Sequence, residues 1–176
     1  ISKCFDTIDH DVLLSMLGEK IHDNRFMKLV RTMLQAGYLE DWVYGNTFSG
    51  TPQGGICSPV LSNIYLDRLD KFVEQELLPR YNRGSGRRWN PEWRRLNNLI
   101  NHHRDKWSAE EYQELVQQRR AVPSRDTHDP NYRRLHYVRY ADDFLLGFAG
   151  PKSEAVEIKE QIREFLSTQL KLTLSD

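Results

Sequence analysis

Asp142 and Asp143 stand side by side between two runs that are otherwise apolar and aromatic, Tyr137-Val138-Arg139-Tyr140 before them and Phe144-Leu145-Leu146-Gly147-Phe148 after. Aspartate is a poor strand residue and adjacent like charges repel, so the pair is hard to explain by local structure alone. A divalent cation relieves the repulsion. Mg²⁺ prefers hard oxygen ligands, commonly one or two carboxylates, with water and substrate phosphate completing its octahedron. Two such ions roughly 4 Å apart can activate a hydroxyl nucleophile and stabilise a leaving pyrophosphate in phosphoryl transfer. An ordinary exposed turn is the competing reading, and for the dipeptide in isolation it is the better one. The apolar flanks shift the balance, because burying both strands of a hairpin makes its tip a positioned feature.

A second string, Gly50-Thr51-Pro52-Gln53-Gly54-Gly55-Ile56-Cys57-Ser58-Pro59, combines glycines that let backbone approach a ligand with a Gln that can donate and accept. A helix N-terminus follows it, where a phosphate would be favoured. A tight loop before a capped helix is an equally good account of the same residues. Asp6, Asp9 and Asp11 are better explained by helix capping and solvation than by metal binding. His102 and His103 are neighbours on a helix and point in different directions, which removes them as a ligand pair.

The elements that would position these strings follow from periodicity. Asp9 caps a helix carrying Val12, Leu13, Met16 and Leu17 and ending at Gly18, and a second helix runs from Asn24 to about Gly37. Trp42, Tyr44 and Phe48 mark a short hairpin. Ser58, as capping hydroxyl, and Pro59, at the first helical position, open a helix that runs toward Leu78. Pro79 and the Arg/Gly/Ser-rich stretch to Arg88 read as a basic linker. Asn90-Pro91 opens a helix to about Lys106, and Ser108-Ala109-Glu110-Glu111 is a capping box for another reaching about Arg120. Strands on either side of Asp142-Asp143 form a hairpin. A long amphipathic helix follows Gly150-Pro151, and Leu170 to Ser175 begins a last strand.

Composition bounds the possibilities. The 176 residues are 39% hydrophobic and 28% charged, a globular composition with enough length to bury a core. No apolar run approaches the roughly 20 residues of a spanning helix, so the chain is predicted to be soluble. Cys4 and Cys57 are far apart and have neither CxxC spacing nor a His pair, which excludes a disulfide framework and a zinc site. The zero net charge conceals an asymmetry: residues 79–139 hold fourteen Lys and Arg against seven Asp and Glu, leaving −7 on the remainder. A basic block beside acidic, better-patterned segments predicts a polyanion-binding region next to a cation-binding one. Its arginines are interleaved with Tyr81, Trp89, Trp93, Trp107 and Tyr112, a mixture that can pair with phosphates and stack on bases. For any single Arg a solvated helix face is as good a reading. The chain opens without a leader sequence, and both ends read as cut from a larger protein.

Taken together, Tyr140-Ala141-Asp142-Asp143, Thr51-Pro52-Gln53-Gly54-Gly55 with Ser58-Pro59, and the segment Ile1 to Asp11 resemble, in this order, the group II intron reverse transcriptase and maturase family. The resemblance covers nearly the whole chain. It implies an α/β (α+β) polymerase palm of the ferredoxin-like kind, an antiparallel sheet backed by helices, with a basic, mostly helical insertion. Palm residues would be 1–78 and 135–176 and the insertion 79–134. It implies Asp142 and Asp143 as catalytic metal ligands for two Mg²⁺ ions, with Mn²⁺ as a substitute. Phe5 would be the aromatic gate under the incoming sugar, and Gln53 and Gly54, with Ile1, Ser2, Lys3 and Cys4, would line the nucleotide site. Arg83, Arg87, Arg88, Arg94 and Arg95 would contact nucleic acid.

The implied reaction is attack of a primer 3′-hydroxyl on a deoxynucleoside triphosphate, directed by an RNA template paired with a DNA or RNA primer. Further implied partners are the intron RNA and, in some settings, a second copy of the chain, with no membrane; the compartment would be a bacterial cytoplasm or an organelle. An RNA-binding splicing cofactor with little polymerase activity, or another bacterial reverse transcriptase of the retron or diversity-generating type, are the alternatives. The family places its first catalytic Asp immediately before the position of Ile1, so this stretch alone is expected to be inactive.

Overall fold

A computed structural model of the chain describes residues 1–2, 4–36, 38–40, 43–45, 50, 56–102 and 106–175. These divide into two compact units, Ile1–Arg80 with Leu135–Asp176, and Tyr81–Arg134.

In the first unit Ser2 forms an isolated antiparallel bridge to Thr173, with its N–H donating to the Thr173 carbonyl at 3.0 Å. The chain then turns into a short helix, α1 (Cys4–Thr7), so the first-strand expectation narrows to Ser2 and Phe5 sits on a helix. The Asp9 carboxylate accepts from Val12 N–H at 2.9 Å and opens α2 (His10–Gly18), which ends on the expected glycine. Asp23 caps α3 (Asn24–Gln35) in the same way through Arg25 and Phe26. Two short strands, β1 (Tyr38–Glu40) and β2 (Val43–Gly45), pair antiparallel with Leu39 opposite Tyr44. Gly37, Trp42 and Phe48 lie outside the described residues.

Helix α4 (Ser58–Phe72) starts one residue earlier than expected. Its cap position falls on Cys57, without a side-chain cap, while Ser58 is the first helical residue and is buried. Pro59 still sits where a missing N–H costs nothing. The expected exit at Pro79 does not occur. A π-helical turn (Val73–Leu77), in which the Leu78 N–H reaches back to the Val73 carbonyl, leads into α5 (Leu78–Tyr81), and the proline lies inside it. Widening the turn just before Pro79 absorbs the hydrogen bond that proline cannot donate.

Strands β3 (Arg134–Tyr140) and β4 (Asp143–Ala149) pair as the hairpin predicted around the acidic pair, and α8 (Lys152–Gln169) follows. The architecture is α+β, with antiparallel pairs backed by helices. Leu135, Tyr137, Phe144, Leu146 and Phe148 take the less exposed side of the hairpin, alternating with outward residues as a half-buried sheet requires.

The core is Leu13 and Leu17 of α2, Leu34 of α3, Tyr65, Leu66 and Leu69 of α4, and Ile158, Ile162 and Leu166 of α8, all nearly inaccessible. Each such side chain contributes on the order of 1.5–3 kcal/mol through burial. Phe72 stacks on Phe165 with centroids 4.2 Å apart. Tyr65 is the polar member of this core. Its hydroxyl donates to the Leu170 carbonyl at 2.7 Å and accepts from the Asp9 N–H at 3.4 Å, and burial pushes its phenol up to about 12. One side chain thereby ties the start of α2 to the end of α8, beside the Lys171–Asp9 ion pair at 2.6 Å.

The second unit is built on α6 (Pro91–His102) and α7 (Ala109–Ala121). The Ser108–Glu111 capping box forms as the sequence predicts. Only Leu96 and Ile100 of this helix pair are fully buried, so backbone pairing and rings supply the rest of the closure. Arg83 bridges Arg133 and Trp89 bridges Arg125, joining the strands that enter and leave the unit. The Trp89 ring is covered by Trp93 at 5.0 Å and by the Arg125 guanidinium at 3.7 Å. Arg87 and Arg134 both lie over Tyr132. Among the described residues no helix is long and apolar enough to cross a membrane.

Replacing Tyr65 with Phe is expected to lower stability by about 1–3 kcal/mol, because the buried Leu170 carbonyl loses its hydroxyl donor. Urea denaturation of the purified protein measures this; an unchanged midpoint would show that the hydroxyl contributes nothing.

Candidate active site

The β3–β4 turn consists of Ala141 and Asp142, and Asp143 begins β4. Ala141 has φ 54, a left-handed conformation that non-glycine residues adopt only when their surroundings enforce it. Asp142 is half-buried and Asp143 exposed. The backbone nitrogen of Ile1 donates to the Asp142 carbonyl at 3.3 Å, which brings the start of the chain against the acidic turn. Cys4 is buried beside it: burial pushes its thiol up, the Asp142 charge adds to the rise, and a hydrogen bond with Ser62 of α4 opposes it. Thus α1, the β3–β4 turn and α4 meet at one place.

Behind the turn lies a polar cluster that spacing along the chain did not reveal. The Arg139 guanidinium forms a two-pronged contact with Asp70 of α4, Nε to Oδ1 at 2.8 Å and Nη2 to Oδ2 at 2.6 Å. Its Nη1 donates to Asn63 Oδ1 at 3.1 Å and to the Ala141 carbonyl at 2.5 Å. The Tyr137 hydroxyl donates to Asp70 Oδ1 at 2.7 Å. Burial pulls the Asp70 carboxyl upward, but the hydrogen bonds from Arg139 and Tyr137 and the Arg139 charge outweigh it, holding the group below the usual carboxylate range. The Asp70 hydrogen bonds and charge raise Arg139 correspondingly. Burial, the hydrogen bond to Asp70 and that residue's charge likewise push the Tyr137 phenol up.

Phe5 is half-buried on α1, and its carbonyl abuts Gly50, the last described residue before the Thr51–Gly55 loop. Gly50 has φ +86, and a Cβ there would lie 2.4 Å from the Phe5 carbonyl oxygen and 2.7 Å from Asp6 backbone atoms. Its N–H donates to the Ile8 carbonyl at 2.7 Å, and its own carbonyl is 2.6 Å from His10 Nε2. A carbonyl only accepts, so His10 Nε2 carries the proton. Gly50 opens the glycine-bearing string noted in the sequence, but its packing against α1 and its contact with His10 were not expected. A glycine followed by a Thr-Pro-Gln-Gly-Gly run was the available signal.

Of the residues named from the sequence, Ile1 and Cys4 lie near Asp142, Phe5 follows Cys4 on α1, and Ser2 makes an isolated bridge to Thr173, where the expected last strand does not form. Lys3, Gln53, Gly54 and His103 lie outside the described residues. In the separate 81–134 unit, Arg88 is paired with Asp126 at 2.7 Å and Arg95 with Glu92 at 2.8 Å. Arg83 and Arg94 are exposed, and Arg87 is half-buried against Tyr132. Tyr81 is buried and offers no open ring to a base, whereas Trp89 is 45% exposed although it contacts Trp93 and Arg125.

Adjacent aspartates at a fixed turn supply hard oxygen donors with room for other ligands on the open side, which fits Mg²⁺ or Mn²⁺. Among the described residues no group of three or more His, Cys, Asp or Glu gathers to hold a metal. The outward face beside the pair is apolar and open, with Tyr140 86%, Leu145 70% and Val138 61% exposed.

The sequence pattern of the reverse transcriptase (RNA-dependent DNA polymerase) family spans residues 1–176. The chain belongs to that family. Over its whole length this reverse transcriptase domain is 43% identical to the group II intron-encoded protein LtrA of Lactococcus lactis subsp. cremoris, covering 30% of that protein. It is 36% identical, over 99% of its length, to the putative COX1/OXI3 intron 2 protein of Saccharomyces cerevisiae, of which it covers 20%. To protein YkfC of Escherichia coli it is 33% identical, across 99% of the chain and 40% of that protein. The resemblance to group II intron-encoded proteins drawn from the motifs is thus borne out. The domain spans less than half the length of each of these relatives.

A Gly50→Ala substitution is expected to cost at least ~1–2 kcal/mol for the left-handed backbone alone, and more for the overlap with α1. Urea unfolding checks this; a midpoint matching the parent would mean that Gly50 does not press on Phe5 and Asp6.

Proposed function

We propose that this domain is the catalytic palm region of a group II intron-encoded RNA-directed DNA polymerase, joining deoxynucleotides to a primer 3′ end on an RNA template. The observation that carries this reading is the acidic turn, with Asp142 and Asp143 held where the start of the chain, α1 and α4 converge, in a domain matched by the reverse transcriptase family from end to end.

Asp142 and Asp143 would hold two Mg²⁺ ions, or Mn²⁺, which when bound supply the charge to lower the barrier to phosphoryl transfer. The residue preceding Ile1 would lie beside them, since the Ile1 nitrogen reaches the Asp142 carbonyl, and this supports the placement of a third carboxylate there. Phe5 would stack under the incoming sugar and exclude a 2′-hydroxyl by occupying its space. The backbone from Ile1 to Cys4 with Gln53 and Gly54 would line the nucleotide site, a reading supported by the packing of Gly50 against the Phe5 backbone. The exposed Tyr140, Val138 and Leu145 face would take the primer end, where apolar side chains support sugar and base without reading sequence. In the 81–134 unit, Arg83, Arg87 and Arg94 would meet phosphates, whereas Arg88 and Arg95 chiefly neutralise their own carboxylates. Intron RNA is the expected ligand of that basic unit, in the compartment where the intron is transcribed.

In the full-length protein, Asp142→Ala should reduce Mg²⁺-dependent primer extension on an RNA template by at least ~10²-fold, the scale of losing one preorganised charge-stabilising group. Undiminished extension would remove the catalytic assignment. If the parent extends no primer yet accelerates intron splicing, the splicing-cofactor reading replaces the polymerase.

A further inference from the structure

We propose that Arg139 is a positioning residue for the reaction, fixing the backbone of the acidic turn, and that Asp70 on α4 is the anchor that aims it. This rests on the polymerase reading above.

The turn is defined by two successive peptide planes, and each of its carbonyls is held from a different source. The Ala141 carbonyl accepts from Arg139 Nη1 at 2.5 Å, and the Asp142 carbonyl accepts from the Ile1 nitrogen at 3.3 Å. Those peptide planes set the direction in which the Asp142 and Asp143 side chains leave the backbone. Ala141 also adopts φ 54 without being glycine, so the turn needs an external restraint to persist.

Arg139 can act as that restraint because its own position is over-determined. Four of the five guanidinium donors are engaged, one by Nε, one by Nη2 and two by Nη1. Its side chain is 11% exposed and that of Asp70 26%, so the pair is shielded from water and from screening by salt. Tyr137, one outward residue removed on the same strand, steadies Asp70 from the other side. A rigid, planar fork bound to α4 therefore transfers the position of a core helix to the turn. Lysine has a single nitrogen and no fork, so it cannot satisfy Asp70 in two-pronged fashion and still reach the Ala141 carbonyl from a fixed direction.

A purely structural ion pair would contribute to stability and nothing else. A positioning role makes a different demand: at a temperature where all variants are folded, metal use and rate must change. The test uses the full-length protein, with primer extension by a single deoxynucleotide on an RNA template across a Mg²⁺ titration. Arg139→Lys is expected to lower the extension rate by about 10²-fold, the cost of roughly 1 Å of misplacement, and to raise the Mg²⁺ concentration needed for half-maximal rate. The KM for the deoxynucleotide should change far less. Asp70→Glu keeps the charges but pushes the fork by one methylene, and it should produce the same signature more weakly. It carries the test if Arg139→Lys does not fold. Tyr137→Phe removes one restraint on Asp70 but leaves the fork in place, so its loss of rate and rise in Mg²⁺ requirement should be smaller than those of Arg139→Lys.

Parental rate and parental Mg²⁺ dependence in folded Arg139→Lys and Asp70→Glu would overturn the proposal. Asp142→Ala is run alongside: if it is inactive while those two variants match the parent, the positioning role fails and the polymerase reading stands. If Asp142→Ala itself extends normally, the polymerase reading is what fails.

Discussion

Two carboxylates on consecutive residues repel each other, and a hairpin tip exposed to water gives them every opportunity to move apart. Holding them in one geometry, as the proposed metal site would require, is the constraint that the contacts around the turn meet. The restraint cannot come from the tip itself, which is two residues long and includes an alanine in a left-handed conformation. It comes from behind, where Arg139 and Asp70 join the turn to α4, and from the side, where Ile1 joins it to the start of the chain. Helix α4 is a suitable anchor. Its Tyr65, Leu66 and Leu69 side chains are fully buried, and the Tyr65 hydroxyl links it to both the start of α2 and the end of α8.

The same logic explains the other contact at the site. Gly50 lies so close to the backbone of Phe5 and Asp6 that no side chain fits between them, and His10 holds its carbonyl. Gly50 and the backbone of α1 thus share one reference point. Aligning reacting groups in advance is among the larger effects available to an enzyme, and in the proposed reaction backbone packing and buried hydrogen bonds would supply it.

Local signals were legible where the physics is local. The Asp9 cap, the glycine ending α2, the Ser108–Glu111 capping box and the hairpin around the acidic pair all depend on residues within a few positions of one another. Two local rules misled. Ser58 looked like a cap, yet it is drawn into the helix and buried, and Pro79 looked like a break, yet a π-helical turn admits it. The Arg139–Asp70 pair was invisible for a different reason, since 69 positions separate its members and each reads as an ordinary surface charge. The aromatic residues of the 81–134 unit looked like stacking platforms for bases, but Tyr81 is buried and Trp89 meets Trp93 and Arg125 of the same unit. Composition predicts that rings and arginines will meet, not whether they meet a ligand or one another.

The claim on which the account depends is that Asp142 and Asp143 grip divalent metal beside Phe5. Anomalous diffraction from crystals of the full-length protein bound to primer, RNA template and Mn²⁺ tests it most directly. The account predicts manganese peaks within about 2.2 Å of oxygens from both carboxylates, on the side of the turn that faces Phe5. Well-ordered carboxylates with no peak between them and the primer end would contradict it.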